Sequence, residues 1–163
     1  MSNDSKSMES RLRAVEDHLA ICQVVAGYGY AVDGLNGDAV GAFYAEDGVY
    51  AVGDVGRYEG RAAVAGITQS PAHIARVGRG CAHVSTAPFV VVDGDRAVAT
   101  CHTMVMGHAE AGFYIDRLSA SRIELSRKPG GEWQIDLRTN QMLNGDAAAP
   151  AILARLKEGP GAV

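Results

Sequence analysis

Four β-strand patterns joined by short turns fill the second half of the chain. They cover residues 81–92, 97–108, 113–127 and 133–142. The turns between them are rich in glycine, as in Asp93-Gly94-Asp95 and Pro129-Gly130-Gly131. Long strands joined by such turns pair antiparallel with their neighbours. The second half therefore predicts an antiparallel meander, and the first half must fold against it.

The first half of the chain is mainly helical. Between residues 9 and 32, apolar side chains recur every three or four positions, which is the spacing of one helix face. We expect this stripe to pack on the sheet; it consists of Leu12, Val15, Leu19, Cys22, Val25 and Ala26. The rest of this half predicts a short helix at 38–44, a turn at 45–48, strands at 49–52 and 56–59, and an alanine-rich helix from Gly60 that ends near Pro71.

Helices followed by a meandering sheet predict a single α+β domain, with the helices covering one face of the sheet. A chain of 163 residues with 47% apolar positions can bury a substantial core. We assign residues 1–8 to a flexible lead-in, 9–145 to the domain and 146–163 to a C-terminal tail. A cone-shaped, strongly curved sheet wrapped around N-terminal helices leaves a cavity at its open end, where small ligands commonly bind.

Composition and charge argue against several classes of partner. The formal net charge is −4 and no stripe of Lys and Arg is present, so a nucleic acid would be repelled. Residues 1–18 lack the features of a secretory signal, and the apolar runs are too short to cross a membrane. We expect a cytoplasmic protein with no membrane partner. The cysteines, Cys22, Cys81 and Cys101, are widely spaced, which predicts free thiols.

Histidines on the strands mark a candidate pocket. His83 lies on the first long strand. On the next strand, one face combines apolar volume with imidazoles through His102, Met104, Met106 and His108. This mixture is typical of a ligand-binding wall. The alternative is that each histidine is an ordinary core or surface side chain satisfied by one hydrogen bond.

The sequence predicts neither a metal nor a cofactor. Six strand residues separate His102 from His108, or roughly 20 Å, which is too far for a shared ion. No H-E-x-x-H motif is present, and the acidic segment 33–38 lacks the terminal glutamate of an EF-hand loop. Glycine motifs for nucleotide phosphates and the G-x-S-x-G nucleophile motif are also absent from the sequence.

Asp33 is the second candidate for chemistry, because it ends an apolar helical stretch. An inward carboxylate needs a cationic or hydrogen-bonding partner to stay ionised, and an imidazole would serve. The alternative is that Asp33 caps the turn that follows the helix.

Asp33, His83 and the strand that begins at Trp133 together resemble the SnoaL-like branch of the nuclear-transport-factor-2-like superfamily. The resemblance spans about residues 14–142. It is strongest to the scytalone dehydratase, lindane dehydrochlorinase and bile-acid 7α-dehydratase group. It implies a cystatin-like fold, in which a curved antiparallel sheet encloses a cavity, and an Asp–His dyad formed by Asp33 and His83.

The resemblance implies two further catalytic groups. A tyrosine or lysine precedes the aspartate in these enzymes; here Tyr28 matches that position, and Tyr30 is the second choice. Helix geometry favours Tyr30, because Tyr28 lies about 140° around the helix from Asp33. The dehydrochlorinase also has an arginine five residues after a tryptophan, and Arg138 stands at this spacing.

The orientation of Arg138 leads to an expectation about assembly. Trp133, Ile135 and Leu137 form the apolar face of the last strand, so alternation turns Arg138 outward unless both sheet faces are covered. A second subunit on the convex face would cover both sets. We therefore expect a homo-oligomer, a dimer or a trimer.

Six residues are expected to contact the substrate: His102, Met104, Met106, His108, Phe113 and Asn140. The resemblance places either His102 or His108 at a second cavity histidine. The apolar members of the set favour a hydrophobic, cyclic small molecule as substrate.

These residues predict a cofactor-independent lyase of the dehydratase type or an isomerase, in which His83 removes a proton from the substrate. Two alternatives remain open. One is a noncatalytic module that binds a small ligand or oligomerises, which a large distance between Asp33 and His83 would favour. The other is a polyketide cyclase in which an aspartate acts as acid and base while His83 only lines the pocket.

Overall fold

The computed structural model describes residues 7–53 and 55–161, so most of the predicted lead-in lies outside the described residues. Within these ranges the helices are α1 (Met8–Asp33), α2 (Gly37–Ala42), α3 (Arg61–Gly66), α4 (Pro71–Arg79) and α5 (Ala148–Ala154). A single 3₁₀ turn, Ile67–Gln69, joins α3 to α4. None of the described helices is both long and apolar enough to cross a membrane.

Seven strands form one curved, unclosed sheet in the described chain. They are β1 (Tyr44–Val52), β2 (Gly56–Glu59), β3 (Cys81–Ser85), β4 (Phe89–Asp93), β5 (Arg96–Ala109), β6 (Gly112–Arg127) and β7 (Trp133–Met142). The order across the sheet is β2-β1-β7-β6-β5-β3, and β4 also pairs with β5. The α+β prediction is confirmed, with one difference: β1 pairs parallel with β7, whereas the other pairs are antiparallel.

The predicted elements are largely present, but three boundaries differ. The strand expected at 81–92 is divided into β3 and β4, because Pro88 cannot donate to a strand ladder. The turn expected at 45–48 belongs to β1, which carries an irregularity there. Helix α4 begins where a helix was expected to end, since Ser70 caps it and Pro71 occupies its first turn.

The buried face of α1 differs from the predicted stripe. Ile21 and Val32 are almost fully buried against the concave side of the sheet, together with Val25 from the predicted stripe, whereas Leu12 and Leu19 of that stripe are more than half exposed. The predicted stripe therefore lies roughly a third of a turn away from the buried face. Apolar periodicity gave the wrong orientation for α1, because an ion pair rather than apolar contact holds the first half of this helix on the sheet.

Asp17 provides that anchor. The residue is 7% exposed, and its carboxylate accepts two hydrogen bonds from Arg127, at 2.7 and 2.8 Å, and a third from Trp133 Nε1 at 3.3 Å. The guanidinium also lies 4.4 Å from the centre of the Trp133 ring and bonds to Asp95. The hydrogen bonds from Arg127 lower the pKa of Asp17 below its ordinary value, although burial opposes them.

We expect Asp17→Ala to lower the free energy of unfolding by about 3 kcal/mol, because it leaves Arg127 without its main partner. A carboxylate with a lowered pKa stabilises the fold above its unfolded pKa and loses this effect as pH falls through its folded pKa. The difference from wild type should therefore stay constant between about pH 5 and pH 8 and shrink below about pH 4. Urea denaturation at several pH values measures it. The exposed neighbour Glu16→Ala is the control, and an equal effect in both variants would contradict the anchoring role.

The C-terminal segment covers part of the convex face of the sheet. Ala149 of α5 is fully buried, and Arg122 on β6 donates weakly to the carbonyls of Glu158 and Gly159, at 3.5 and 3.4 Å. The segment expected to be a tail therefore packs on the sheet. Further along the same face, apolar side chains remain exposed, among them Phe113, Ile115 and Leu118.

Candidate active site

Asp33 and His83 meet where the end of α1 crosses β3. The His83 ring nitrogen Nδ1 lies 2.6 Å from Asp33 Oδ1, and the backbone N–H of His83 donates to Asp33 Oδ2 at 2.7 Å. The Cys81 thiol donates to Oδ1 at 3.6 Å. Both members of the pair are shielded from solvent, with side chains 24% and 16% exposed. One carboxylate thus holds both the backbone and the ring of the same histidine.

Gly29 allows α1 to approach β3 this closely. A Cβ atom at Gly29 would lie 2.2 Å from the carbonyl oxygen of His83, a distance at which the backbones would have to separate. Asp33 follows four residues later, so it lies over the same side of the helix one turn further on. The glycine and the aspartate therefore act together in placing the helix end against His83.

Burial and hydrogen bonding act in opposite directions on Asp33. Burial raises its pKa, but the bonds from the ring and backbone of His83 lower it further than burial raises it. The net pKa is below the ordinary value for an aspartate, so Asp33 is a carboxylate at neutral pH. Because a carboxylate only accepts, the Nδ1 of His83 donates to it, which leaves Nε2 as the ring nitrogen able to accept a proton.

His83 borders a small internal cavity of about 20 Å³, large enough for a single water molecule. The cavity lies between the end of α1 and the concave side of the sheet. Its wall includes Tyr28, Tyr50, Ser85, Thr103, Val105, Arg138 and Asn140. Asp33 is not part of this wall and supports His83 from behind.

Arg138 faces into the cavity because of a β-bulge. On β6, the consecutive residues Glu124 and Leu125 pair with Leu137 and Ile135, so Asp136 is an extra residue on β7. The bulge shifts the alternation of side chains, and Arg138 joins the buried face that begins with Ile135. Simple alternation predicted an outward Arg138; the bulge gives it an inward side without the need for a second subunit.

The guanidinium of Arg138 lies among aromatic rings. Its central carbon is 4.4 Å from the centre of the Tyr28 ring and 5.2 Å from that of Tyr50, which are cation–π distances. Tyr28 is buried, and burial, followed by the neighbouring Tyr50 and Tyr44, raises its pKa well above the ordinary value. Tyr28 is therefore a neutral phenol at physiological pH, able to donate a hydrogen bond.

Of the two candidate tyrosines, Tyr28 lines the cavity and Tyr30 does not. Tyr30 is 81% exposed, so the structure agrees with the match from the family resemblance and not with the helix-angle argument for Tyr30. The argument from helix angle assumed that the tyrosine and Asp33 must share one face of α1. They need not, because Asp33 contacts His83 at the edge of the sheet while Tyr28 points toward its centre.

Strand β5 turns toward the cavity the face opposite to the one predicted. His83 pairs with Val105 across β3 and β5, and residues opposite each other in an antiparallel pair share a face. The predicted set lies in the alternate row, as the pairing of Val84 with Met104 shows. His102, His108, Phe113 and Met106 lie outside the wall of this cavity, and their role as substrate contacts stays a prediction.

Two members of the predicted substrate set do border the cavity, Met104 and Asn140. His108 and Phe113 instead pack on each other at the exposed end of the sheet, with ring centres 4.9 Å apart and Phe113 79% exposed. The sequence could not distinguish the two faces of β5, because both carry residues suitable for a pocket.

Asn140 connects the cation to a network of hydroxyl groups. Its Oδ1 accepts from Ser121 Oγ at 2.7 Å and from Arg138 Nε at 3.4 Å. Its amide nitrogen donates to Tyr50 Oη at 3.1 Å and to Thr103 Oγ1 at 3.4 Å. This network fixes the orientation of the side chains on the cavity floor.

Sequence reasoning missed Tyr50 and His73. Tyr50 falls in the strand predicted at 49–52, which is too short and too mixed in polarity to indicate which of its side chains point inward. His73 lies on α4, where no helix was predicted; its Nε2 donates to the carbonyl of Val32 at 2.9 Å, and its ring centre is 5.6 Å from that of His83. A serine-proline pair at 70–71 followed by a histidine is the signal that could have indicated this helix.

Asp33, Cys81 and His83 are the described residues with donor atoms grouped closely enough to hold a metal ion, within 4.8 Å of one another. The geometry is better explained by hydrogen bonds. Burial, and then the charge of Asp33, raise the pKa of the Cys81 thiol, so it stays protonated, and the carboxylate already accepts three bonds. The group is therefore a hydrogen-bonded cluster around the carboxylate.

A curved, unclosed sheet packed on a long N-terminal helix, with a cavity between them, defines the nuclear-transport-factor-2-like class of protein. The chain belongs to the SnoaL-like domain family, whose model matches residues 13–139. The resemblance recognised in the sequence is thereby confirmed.

Solved structures agree with this assignment. The chain is similar to an NTF2-like protein with a cystatin-like fold from Novosphingobium aromaticivorans, with 37% identity and a TM-score of 0.87 over 94% of this chain and 99% of that one. A hexachlorocyclohexane dehydrochlorinase from Novosphingobium barchaimii shares the fold at 17% identity, with a TM-score of 0.69 over 84% and 97%. A proposed scytalone dehydratase from Novosphingobium aromaticivorans shares it at 16%, with a TM-score of 0.66 over 81% and 87%. Comparison with curated protein sequences finds no match.

We expect Gly29→Ala to separate α1 from β3 and to weaken the contact between Asp33 and His83. Overpacking of this kind costs about 1–3 kcal/mol. Gly66→Ala is the matched control, because a Cβ atom there meets nothing within 4 Å. Chemical denaturation measures stability, and the low-field NMR signal of the His83 ring N–H reports on the contact. Gly29→Ala with the stability and NMR signal of the control would contradict the role of the close approach.

Proposed function

We propose that the protein is a cofactor-independent lyase or isomerase in which His83 removes a proton from a carbon next to a carbonyl group. The observation that carries the proposal is the 2.6 Å contact between His83 Nδ1 and Asp33, on a histidine that borders an internal cavity. The carboxylate fixes the tautomer of the ring with the proton on Nδ1, so Nε2 serves as the base.

The opposite part of the cavity suits the negative charge that proton removal creates. When the C–H electron pair moves toward the carbonyl, an enolate oxygen forms. The Tyr28 hydroxyl and the Arg138 guanidinium border the same cavity and can donate to that oxygen. A positioned base contributes about 10²–10⁴-fold to rate and an oxyanion donor about 10²–10³-fold, which is sufficient for an activated carbon.

The enolate has two productive outcomes. In a lyase, its electron pair forms a carbon–carbon double bond as a leaving group departs from the adjacent carbon with its own electron pair, and the proton on His83 can neutralise that group. In an isomerase, His83 returns the proton to a different carbon and no group is lost. Both outcomes regenerate the neutral imidazole without an external oxidant or reductant.

The residues that line the cavity change the class of substrate that we expect. A hydrophobic molecule was inferred from Met104, Met106 and Phe113, of which only Met104 borders the cavity. The wall instead combines hydroxyl, amide and guanidinium groups with aromatic rings. We therefore propose a small substrate with an apolar ring or chain that also carries oxygen functions. Its binding requires the side chains to move apart, because the enclosed volume is only about 20 Å³.

The position of His83 also bears on the alternatives. A cyclase that uses Asp33 as its acid and base would need that carboxylate on the cavity wall, whereas His83 lies on the wall and Asp33 behind it. A noncatalytic module has no need for a carboxylate aligned with the imidazole. These features favour proton transfer by His83 over both alternatives.

We expect His83→Ala to lower turnover by about 10²–10⁴-fold, and Asp33→Asn by about 10²-fold or more through loss of the correct tautomer. Turnover is measured on a substrate found by mass-spectrometric screening of carbonyl compounds. The exposed Tyr30→Phe is the control and should keep full activity. Full turnover by His83→Ala would exclude the proposal, and a much larger loss in Asp33→Asn than in His83→Ala would support the cyclase.

We also propose that the protein forms a homodimer or homotrimer through the convex face of the sheet. Phe113, Ile115 and Leu118 are exposed there on β6, at 79%, 57% and 39%. Apolar area of this kind favours contact with another subunit. Analytical ultracentrifugation should show an oligomer for the wild type and a smaller species for Leu118→Glu, with Leu156→Glu on the C-terminal segment as control. A monomeric wild type would contradict the proposal.

A further inference from the structure

Arg138 is a buried cation for which the described chain provides no acidic partner. The residue is 3% exposed, and no carboxylate of the described residues forms an ion pair with it. It lies against the rings of Tyr28 and Tyr50, makes one long hydrogen bond to Asn140, and has the Tyr44 hydroxyl nearby. Its Nη1 is buried and has no hydrogen-bond partner.

Two other arginines that are shielded from solvent have acidic partners. Arg127 bonds to both Asp17 and Asp95. Arg122, which is also buried, has a counter-charge in Glu124 at 3.7 Å and two carbonyl oxygens nearby, although its Nε and Nη1 lack hydrogen-bond partners. Removing a guanidinium from water without a counter-charge costs several kcal/mol, so Arg138 needs an explanation that the other two do not.

Arg138 borders the cavity together with Tyr28 and Tyr50. The Tyr44 hydroxyl lies near the guanidinium but outside the cavity wall, and neither it nor Nη1 of Arg138 makes a hydrogen bond of good geometry. Burial also raises the pKa of both Tyr44 and Tyr28, so both hydroxyls keep their protons. A guanidinium and neutral phenols all donate hydrogen bonds. A negatively charged acceptor would satisfy them and balance the charge of the guanidinium.

We propose that Arg138 binds a permanent negative charge on the substrate, a carboxylate, at the end of the cavity away from Asp33. This inference rests on the proposed function, because it assigns a substrate class to the same site. A transient enolate alone would require donors but not an unpaired resting cation. The carboxylate would anchor the molecule while a separate activated C–H group faces His83.

Small anions test this proposal without turnover. Acetate and benzoate are the probes, and acetamide and benzamide are their neutral counterparts, all at equal ionic strength. At ten times its dissociation constant, a bound carboxylate should raise the melting temperature by about 4 °C, in a saturable way. The amides should have no such effect. Equal effects of acid and amide, or no saturable effect of either acid, would overturn the proposal.

Two variants locate the binding. Arg138→Met should lose the response to carboxylates, and a response retained in it would place the anion elsewhere and overturn the proposal. Asn140→Asp covers the case in which Arg138→Met does not fold. It places a carboxylate beside Nε of Arg138, and Tyr50 and Thr103 can donate to it by rotating their hydroxyl groups. Asn140→Asp should stay folded and lose the response; if it keeps the response, the unpaired charge is not what binds the anion.

His83→Gln separates this inference from the proposed function. It should keep the full rise in melting temperature with acetate while losing turnover. A protein that binds carboxylates through Arg138 but has no His83-dependent reaction would support the anion site and exclude the proton transfer. A His83-dependent reaction on an uncharged substrate, without anion binding, would show the reverse.

Discussion

The contact between α1 and β3 is the constraint on which the site depends. β3 is at the end of the sheet order, so groups on its outer side have no neighbouring strand to bond with. The backbone N–H of His83 donates to Asp33, and its carbonyl lies against Gly29. The helix thus completes the edge of the sheet. Because the same carboxylate also binds the imidazole, the geometry of the Asp33–His83 pair is determined by the fold itself and not by a mobile loop.

The interior of the cone is more polar than stability alone would favour. Tyr28, Tyr50, Arg138 and Asn140 occupy positions between the helix and the sheet where apolar side chains could pack. Their hydrogen bonds compensate only in part, since Nη1 of Arg138 has no partner. Buried polar groups that are incompletely satisfied are costly, and in natural proteins they are found chiefly where function requires them. The apolar core lies nearer the other end, around Ile21, and the charged pair of Asp17 and Arg127 at its margin is fully hydrogen-bonded.

Local patterns predicted the elements well, and the faces of those elements less well. The strand 133–142 was predicted at its observed bounds, whereas the pairing of Asp33 with His83 was implied by the family resemblance and not by local pattern. The inward position of Arg138 could not be predicted, because it depends on a one-residue bulge that is visible only in the pairing of β6 with β7. The choice between Tyr28 and Tyr30 depends on which way α1 is rotated, and at its beginning that rotation is held by the ion pair of Asp17.

Sheet topology also sets how far apart the two charged ends of the cavity lie. His83 is on β3 and Arg138 on β7, and two strands, β6 and β5, separate them. Three strand spacings amount to roughly 14 Å along a flat sheet. Curvature shortens this distance, and side chains from both strands reach inward, so His83 and Arg138 border the same cavity. The fold thus places the base and the cation on different strands, where one substrate can contact both.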